Sequence, residues 1–344
     1  MPAEWEPHAA TWIAWPHNPN DWPGRFAPIH WVYAEIIRHL AVGEIVHIIC
    51  QNASERIRAL RILRDANVPV KSLRFHLWPT DRVWTRDTGA IFLKQANNGK
   101  LAATCWKFNA WAKYSDWKKD CKIALQMARD QKVKVFEPET LIDGKKTRVV
   151  LEGGGVEVNG QGLMLVTEEW LLSRKQVRNP GLSREGYEQV FREHFGADQV
   201  IWLNRGIVGD DTHGHVDDIS RFTAPDTVVT AIEPNVADEN HLLLAENLDR
   251  LRSARGLDGK HLVVHTLRMP APVVIKGQRV PASYANFYIA NKRILVPTFD
   301  DPNDRHALNT LAELFPGRAV VGINCTDFIW GLGAIHCMTQ QQPV

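Results

Sequence analysis

The chain has 344 residues, 44% hydrophobic and 23% charged, and its 41 Lys and Arg against 39 Asp and Glu leave a net charge of +2. That length supports one large domain or two ordinary ones, and the near-neutral balance, with no basic tail or stripe, offers nothing to nucleic acid. No stretch reaches the ~20 apolar residues of a membrane span, Met1 to His8 lacks the basic and apolar regions of a leader, and an odd set of cysteines without CxxC spacing (Cys50, Cys105, Cys121, Cys325, Cys337) speaks against a disulfide framework, so a soluble protein of the reducing cytoplasm is expected.

Trp12-Ile13-Ala14-Trp15-Pro16 is apolar and β-prone, and His17 to Gly24 reads as an ordered loop. Residues 29–41 read as a helix and Glu44 to Cys50 as a buried strand. Ser54 can cap a helix carrying Ile57, Leu60 and Leu63 on one face, ended by Asn67 to Pro69. Strands at Leu73 to Trp78 and Ala90 to Leu93 flank a polar loop, Pro79 to Asp87. A helix over roughly 117–130 and strands at Val133 to Phe136 and Val149 to Leu151 follow, and the second of these runs into Glu152-Gly153-Gly154-Gly155. The helix over about 184–195 has Gly196 as its stop, and the strand Val200 to Leu203 leads to the loop Gly209 to Asp218. The helix over about 240–255 has Gly256 as its stop, with strands at Leu262 to Thr266 and Ser283 to Ala290 after it. The helix over about 305–315 and the strand Ala319 to Ile323 lead to the Cys337 stretch.

The helices begin near 54, 117, 184, 240 and 305, in steps of 63, 67, 56 and 65, which is close to one period. An α/β fold of five helix–strand–loop–strand units, making one domain over residues 1–344, is the expectation. The polar loops hold Asp87, Glu152, His215 with Asp217, and Cys337. Units arranged about a common axis would bring those loops to one end.

Three consecutive glycines after Glu152 suggest a bulge or a close backbone approach. In extended backbone His215 and Asp217 point to one face and Asp218 away from it. Cys337 follows the small-residue turn Gly331-Leu332-Gly333-Ala334, so its sulfur could face a pocket rather than the core. Carboxylates around a cysteine and a histidine raise the pKa of both. Such a site repels anions and holds a cation, and a guanidinium fits best because its planar fork pairs two-pronged with carboxylates. The sulfur could then attack the guanidinium carbon while His215 protonates the departing ammonia and later activates water.

Trp84-Thr85-Arg86-Asp87-Thr88-Gly89, Leu151-Glu152-Gly153-Gly154, Gly209-Asp210-Asp211-Thr212-His213-Gly214-His215-Val216-Asp217-Asp218 and the terminal Gly331 to Gln341 together resemble the agmatine deiminase and bacterial peptidylarginine deiminase family. Pro2 to His8 and Asp21-Trp22-Pro23 resemble it too. The resemblance implies the pentein fold, a five-bladed α/β propeller with a pseudo-fivefold repeat. It also implies Cys337 as nucleophile, His215 as general acid and base, and Glu152 as the residue that orients the imidazole. Asp87 and Asp217 would bind the guanidinium, and Trp84 would pack along the substrate's alkyl chain. Asp-Asp-Thr-His-Gly-His and Gly-Leu-Gly-Ala-Ile-His depart from the pattern of agmatine-specific members, and both flank the pocket.

The expected partner is a small cationic guanidine, agmatine first and peptidyl-arginine second, with no cofactor, no metal, no nucleic acid and no membrane; a homodimer is the assembly considered. A metal-dependent hydrolase is the runner-up, built on Asp210, Asp211, His213, His215, Asp217 and Asp218 with His336 and Cys337, although no HExxH is present. A tryptophan-rich binding module without catalysis is the third reading. Asp21, Trp22 and the segment Ser283 to Asn286 are candidates for reading the far end of the substrate.

Overall fold

Five short sheets repeat one strand order in the computed structural model, which describes residues 1–344. The first is Gln340–Pro343, His8–Ala14, Ile45–Cys50, Leu73–Leu77; the second Ile91–Lys94, Leu101–Thr104, Lys134–Phe136; the third Glu157–Val158, Leu163–Thr167, Gln199–Leu203. The fourth is Ser220–Ala224, Thr227–Ile232, Val263–Arg268, and the fifth Tyr288–Ile289, Arg293–Thr298, Ala319–Asn324. In each, the opening strand pairs antiparallel with the second and the second pairs parallel with the third. A parallel pair needs a crossover, and a helix supplies it every time: α1 (Phe26–Leu40) in the first sheet, then α3 (Ile123–Asp130), α4 (Arg184–Phe195), α5 (Asn240–Ser253) and α6 (Asn303–Leu314) in the others. Helix α2 (Ala53–Asp65) is an addition that carries the chain to the fourth strand of the first sheet.

The sequence period is therefore real, but its first member is misplaced. The helix near 54 is the added α2, and the equivalent of the later crossovers is α1. Apart from the β-prone run at Trp12 that opens the chain, the helix–strand–loop–strand unit also omits the second strand of the second to fifth sheets. Leu163–Thr167 and Thr227–Ile232 are buried or nearly so along their length, and continuous apolar strands of this kind carry no alternating pattern to announce them.

Several local expectations change for identifiable reasons. Asn52, not Ser54, caps α2, its side chain accepting from the Glu55 N–H, while the Ser54 hydroxyl donates to Asn52 at 2.6 Å. Ile57 is 63% exposed, and Ala59 with Leu63 forms the inward face. Gly196 does end α4 in the left-handed region with φ 69°, but α5 ends at Ser253 with Ala254 as its cap, short of Gly256. The expected strand over Ser283 to Ala290 is a strand only at Tyr288–Ile289.

The last strand, Gln340–Pro343, lies against His8–Ala14, so both chain ends build the first sheet. Buried Trp12, Trp15 and Trp22 pack in the largest core, together with residues of the fifth sheet and Cys337 itself. No helix is long and apolar enough to cross a membrane.

Candidate active site

The strand order places the polar residues. Asp87 lies just before the opening strand of the second sheet, Glu152 before that of the third and Asp217 before that of the fourth. Cys337 lies before the opening strand of the first. The fifth sheet follows the same rule with Asn286, two residues ahead of Tyr288. All five meet at one place. His215 Nε2 is 3.6 Å from Glu152 and its Nδ1 is 3.8 Å from Asp87. Cys337 Sγ is 3.6 Å from Asp217 Oδ2, and Asn286 Nδ2 donates to the sulfur at 3.1 Å.

The glycines matter because other groups occupy the space of their missing side chains. A Cβ at Gly154 would come within 2.7 Å of His215 Nδ1 and 3.0 Å of Asp87 Oδ1. At Gly153 it would run into the Arg86 carbonyl oxygen, and at Gly155 it would meet the Trp170 ring at 2.5 Å. The sequence expectation of a close backbone approach is met, in the form of a 3₁₀ turn over Gly153–Gly155. Gly154 also donates its N–H to Asp87 Oδ1 at 2.9 Å.

Each carboxylate has its own surroundings. Asp87 Oδ2 accepts from Trp111 Nε1 at 2.8 Å. Trp111 sits in a turn whose three residues, Ala110 to Ala112, all have positive φ, strain of a kind that clusters at functional sites. Burial, with the charges of Asp217 and Glu152 added, raises Asp87 to about 6 against the pull of His215. Burial would raise Glu152 as well, but Arg178 at 3.1 Å, His215 and the Trp170 N–H at 2.7 Å outweigh it and hold the group at about 2. Burial works against a charged His215, yet Asp87, Glu152 and Asp217 overcome it and lift it to about 9. Asp217 is held below the ordinary range despite burial, chiefly by His336, whose Nδ1 is 2.7 Å from its Oδ2. The other His336 nitrogen reaches Glu4 at 2.8 Å.

Burial first, then the charges of Asp217, Asp218 and Asp87, pushes the Cys337 thiol well above its usual value. The expected consequence is a Cys337 thiol that rests protonated at neutral pH. Alkylation by neutral iodoacetamide, corrected with a Cys337→Ala variant in which the partly exposed Cys121 still reacts, should keep rising beyond the ordinary thiol pKa of about 8.5. A plateau reached well below that value would show a preformed thiolate.

Cys337, Asp87 and Trp84 open onto one cleft of about 360 Å³, while His215, Glu152 and Asp217 form its buried backing. Trp84 packs on the Gly333 turn, where a Cβ would come 2.8 Å from its ring. Leu332, between the two turn glycines, lines the cleft with φ 65°.

The structure corrects several placements. Asp218 does not point away: Val216–Asp218 is a 3₁₀ turn, and Asp218 is buried with its carboxylate on Asn286 Nδ2 at 2.9 Å. Trp22 is behind the cleft, donating to the Phe328 carbonyl at 2.7 Å, whereas Asp21 does line it. Of the segment offered for the far end, Asn286 sits beneath the sulfur, the Ser283 hydroxyl bonds the Asp218 carbonyl and the Tyr284 hydroxyl bonds Asp304. Arg178, Trp170, Trp111 and Glu4, which the sequence does not single out, act through the groups it does, while His336 and Asn286 stand among the sequence expectations for other roles, a metal donor and a far-end contact.

The ligands of the metal reading are dispersed. His213 turns to Ser173 at 2.9 Å, and Asp210 is spent on the N–H groups of Thr212, Gly214 and His215. The donors that do gather are Asp217, Asp218 and Cys337, with a second group, His47, His76 and Asp130, elsewhere. In the first, Asp217 and Asp218 already hold His336 and Asn286. In the second, the two imidazoles hydrogen-bond each other at 2.7 Å.

The family model described as Porphyromonas-type peptidyl-arginine deiminase matches residues 1–343. The agmatine deiminase of Stutzerimonas stutzeri is 36% identical over 366 residues, which cover 100% of this chain and 95% of that protein. The agmatine deiminase of Ectopseudomonas mendocina is 34% identical with the same coverage. Among solved structures, agmatine deiminase of Enterococcus faecalis superposes with a TM-score of 0.89 at 29% identity, covering 100% of this chain and 95% of that one. A Cys-to-Ser variant of C. jejuni agmatine deiminase with substrate bound gives a TM-score of 0.86 at 26% identity, covering 99% and 95%.

Proposed function

This chain belongs to the Porphyromonas-type peptidyl-arginine deiminase family, and from that premise we propose that it is an agmatine deiminase, converting agmatine and water to N-carbamoylputrescine and ammonia in the cytoplasm. The five like sheets are the blades of a pentein-type propeller about a pseudo-fivefold axis, and residues 1–344 form one catalytic domain because every sheet sends a residue to one site. The observation that carries the reading is the placement of Cys337 on a cleft wall beside Asp87, above Asp217.

Each Asp87 oxygen accepts one protein hydrogen bond, which leaves a lone pair on each for a guanidinium N–H. Asp217 Oδ1 is buried without a partner and is free for another. The arriving cation favours the ionised forms of Asp87 and of Cys337. The thiolate attacks the guanidinium carbon, and a C–N bond breaks as His215 gives its proton to the leaving nitrogen, releasing ammonia. The cysteine then carries an amidino group. Neutral His215 next takes a proton from water, whose oxygen attacks the same carbon, and the C–S bond breaks to return the thiolate while the hydroxyl so formed releases its proton to solvent, leaving the urea product. Glu152, fixed by Arg178 and Trp170, holds the imidazole in place for both transfers.

Ammonia release from agmatine, free arginine and an arginine-containing peptide tests the reading. Turnover confined to agmatine is expected. Release from the peptide alone would move the assignment to a protein-modifying deiminase, and release from none would overturn it.

A further inference from the structure

The same cleft continues from Cys337 to a second acidic group with no part in the chemistry. We propose that Asp21 is the seat of the substrate's distal ammonium group and thereby selects an amine-terminated guanidine over free arginine. This inference rests on the deiminase reading.

Asp21 lines the cleft that Cys337 and Asp87 open onto, so one cavity joins both carboxylates. Its side chain is 4% exposed, yet only one of its oxygens is used. Oδ1 receives long contacts from Arg82 Nη1 at 3.3 Å and Asn18 Nδ2 at 3.4 Å, and buried Oδ2 has no hydrogen-bond partner. A buried carboxylate oxygen without a donor is costly unless a ligand supplies one. The group is also firmly placed. Pro19–Asp21 is a 3₁₀ turn capped by Asn18, and the next residue, Trp22, is anchored through its indole N–H to the Phe328 carbonyl and by its ring under Gly331.

The neighbouring charges decide which chemistry the subsite takes. Arg82 is committed to Asp21 and, at 3.1 Å, to Asp116, with its guanidinium 4.2 Å over the Tyr114 ring. Asp211 accepts from the Tyr114 hydroxyl at 2.6 Å and pairs with Lys113. The carboxylates of Asp21, Asp116 and Asp211 thus line this end of the cleft against one lining arginine. An ammonium adds the donor Asp21 Oδ2 lacks, in a cleft that Trp111 and Trp330 also line. A substrate carboxylate reaching for the unpartnered Nε–H of Arg82, the only arginine lining the cleft, would do so against Asp21 and Asp116.

The test compares agmatine with n-butylguanidine, which has the same guanidinium and chain length but no amine. In the wild-type enzyme the amine should lower KM, and Asp21→Asn should cut kcat/KM for agmatine by about 10- to 100-fold, the range of a hydrogen bond to a charged group. Most of that loss should appear in KM, and the loss with n-butylguanidine should be small. Equal losses on the two substrates, or none on agmatine, would overturn the assignment. If the variant turns over neither substrate because it does not fold, equal wild-type KM values for the two would overturn it. A wild-type enzyme inactive on both would remove the deiminase reading itself, a result distinct from these.

Discussion

Replacing Cys337 by alanine abolishes ammonia release, by at least about 10³-fold in kcat, while agmatine still binds. The two halves of this expectation come from different groups. The carbon that bonds to sulfur has no other nucleophile beside it in the cleft. The guanidinium, in contrast, is proposed to be held by Asp87 and Asp217, whose partners Trp111, Gly154 and His336 do not depend on the sulfur. Agmatine should therefore raise the thermal midpoint of the variant, as it does that of the parent. Residual turnover within about 10-fold of wild type would remove the covalent mechanism and leave water attack directed by His215. Loss of both turnover and binding would mean that Asn286, which donates to the sulfur and to Asp218, had moved and taken the acidic floor with it.

Much of this site is legible in the sequence because its polar residues stand where bland chains do not put them. Glu152 sits between an apolar run and three glycines, and His215 and Asp217 stand within a dense polar loop that runs straight into the buried strand Ser220–Ala224. The helices are legible through their inward faces, and with them the fivefold period. The second strands of the sheets after the first are not, since strands such as Leu163–Thr167 are buried at every position. The first unit is displaced because α2 reads as strongly as α1 and nothing local marks it as an addition. Asp218 fails for a specific reason: the extended geometry assumed for it is a 3₁₀ turn, which brings it under the sulfur beside Asp217. The pairing of residues behind the site leaves no local signal. Glu4 and His336 are separated by 332 positions and meet at 2.8 Å only because both chain ends build the first sheet.

Glu4→Gln is expected to destabilise the protein by about 3–5 kcal/mol at neutral pH, the cost of breaking a buried ion pair by removing one partner. Glu4 is almost fully buried and meets two guanidinium groups, Arg221 at 2.8 Å and Arg86 at 3.1 Å, and the His336 ring at 2.8 Å. It also accepts the Ile289 N–H at 2.8 Å. Glutamine keeps the size and the acceptor but withdraws the charge on which Arg86 relies, while Arg221 retains Glu157 at 2.9 Å. The pH dependence separates charge from shape. Burial alone would raise Glu4, but Arg221, His336 and Arg86 outweigh it and hold the carboxyl well below its ordinary value. A carboxyl depressed in the folded state stabilises fully above its unfolded pKa, about 4.3, and loses that contribution as pH falls through the folded value. The gap between parent and variant in urea denaturation should therefore be widest near pH 7 and narrow as the pH drops below about 4.3. A gap that stays constant with pH would assign the loss to packing. Because His336 bridges Glu4 to Asp217, the variant should also bind agmatine more weakly, a loss that an effect confined to the N-terminal segment would not produce.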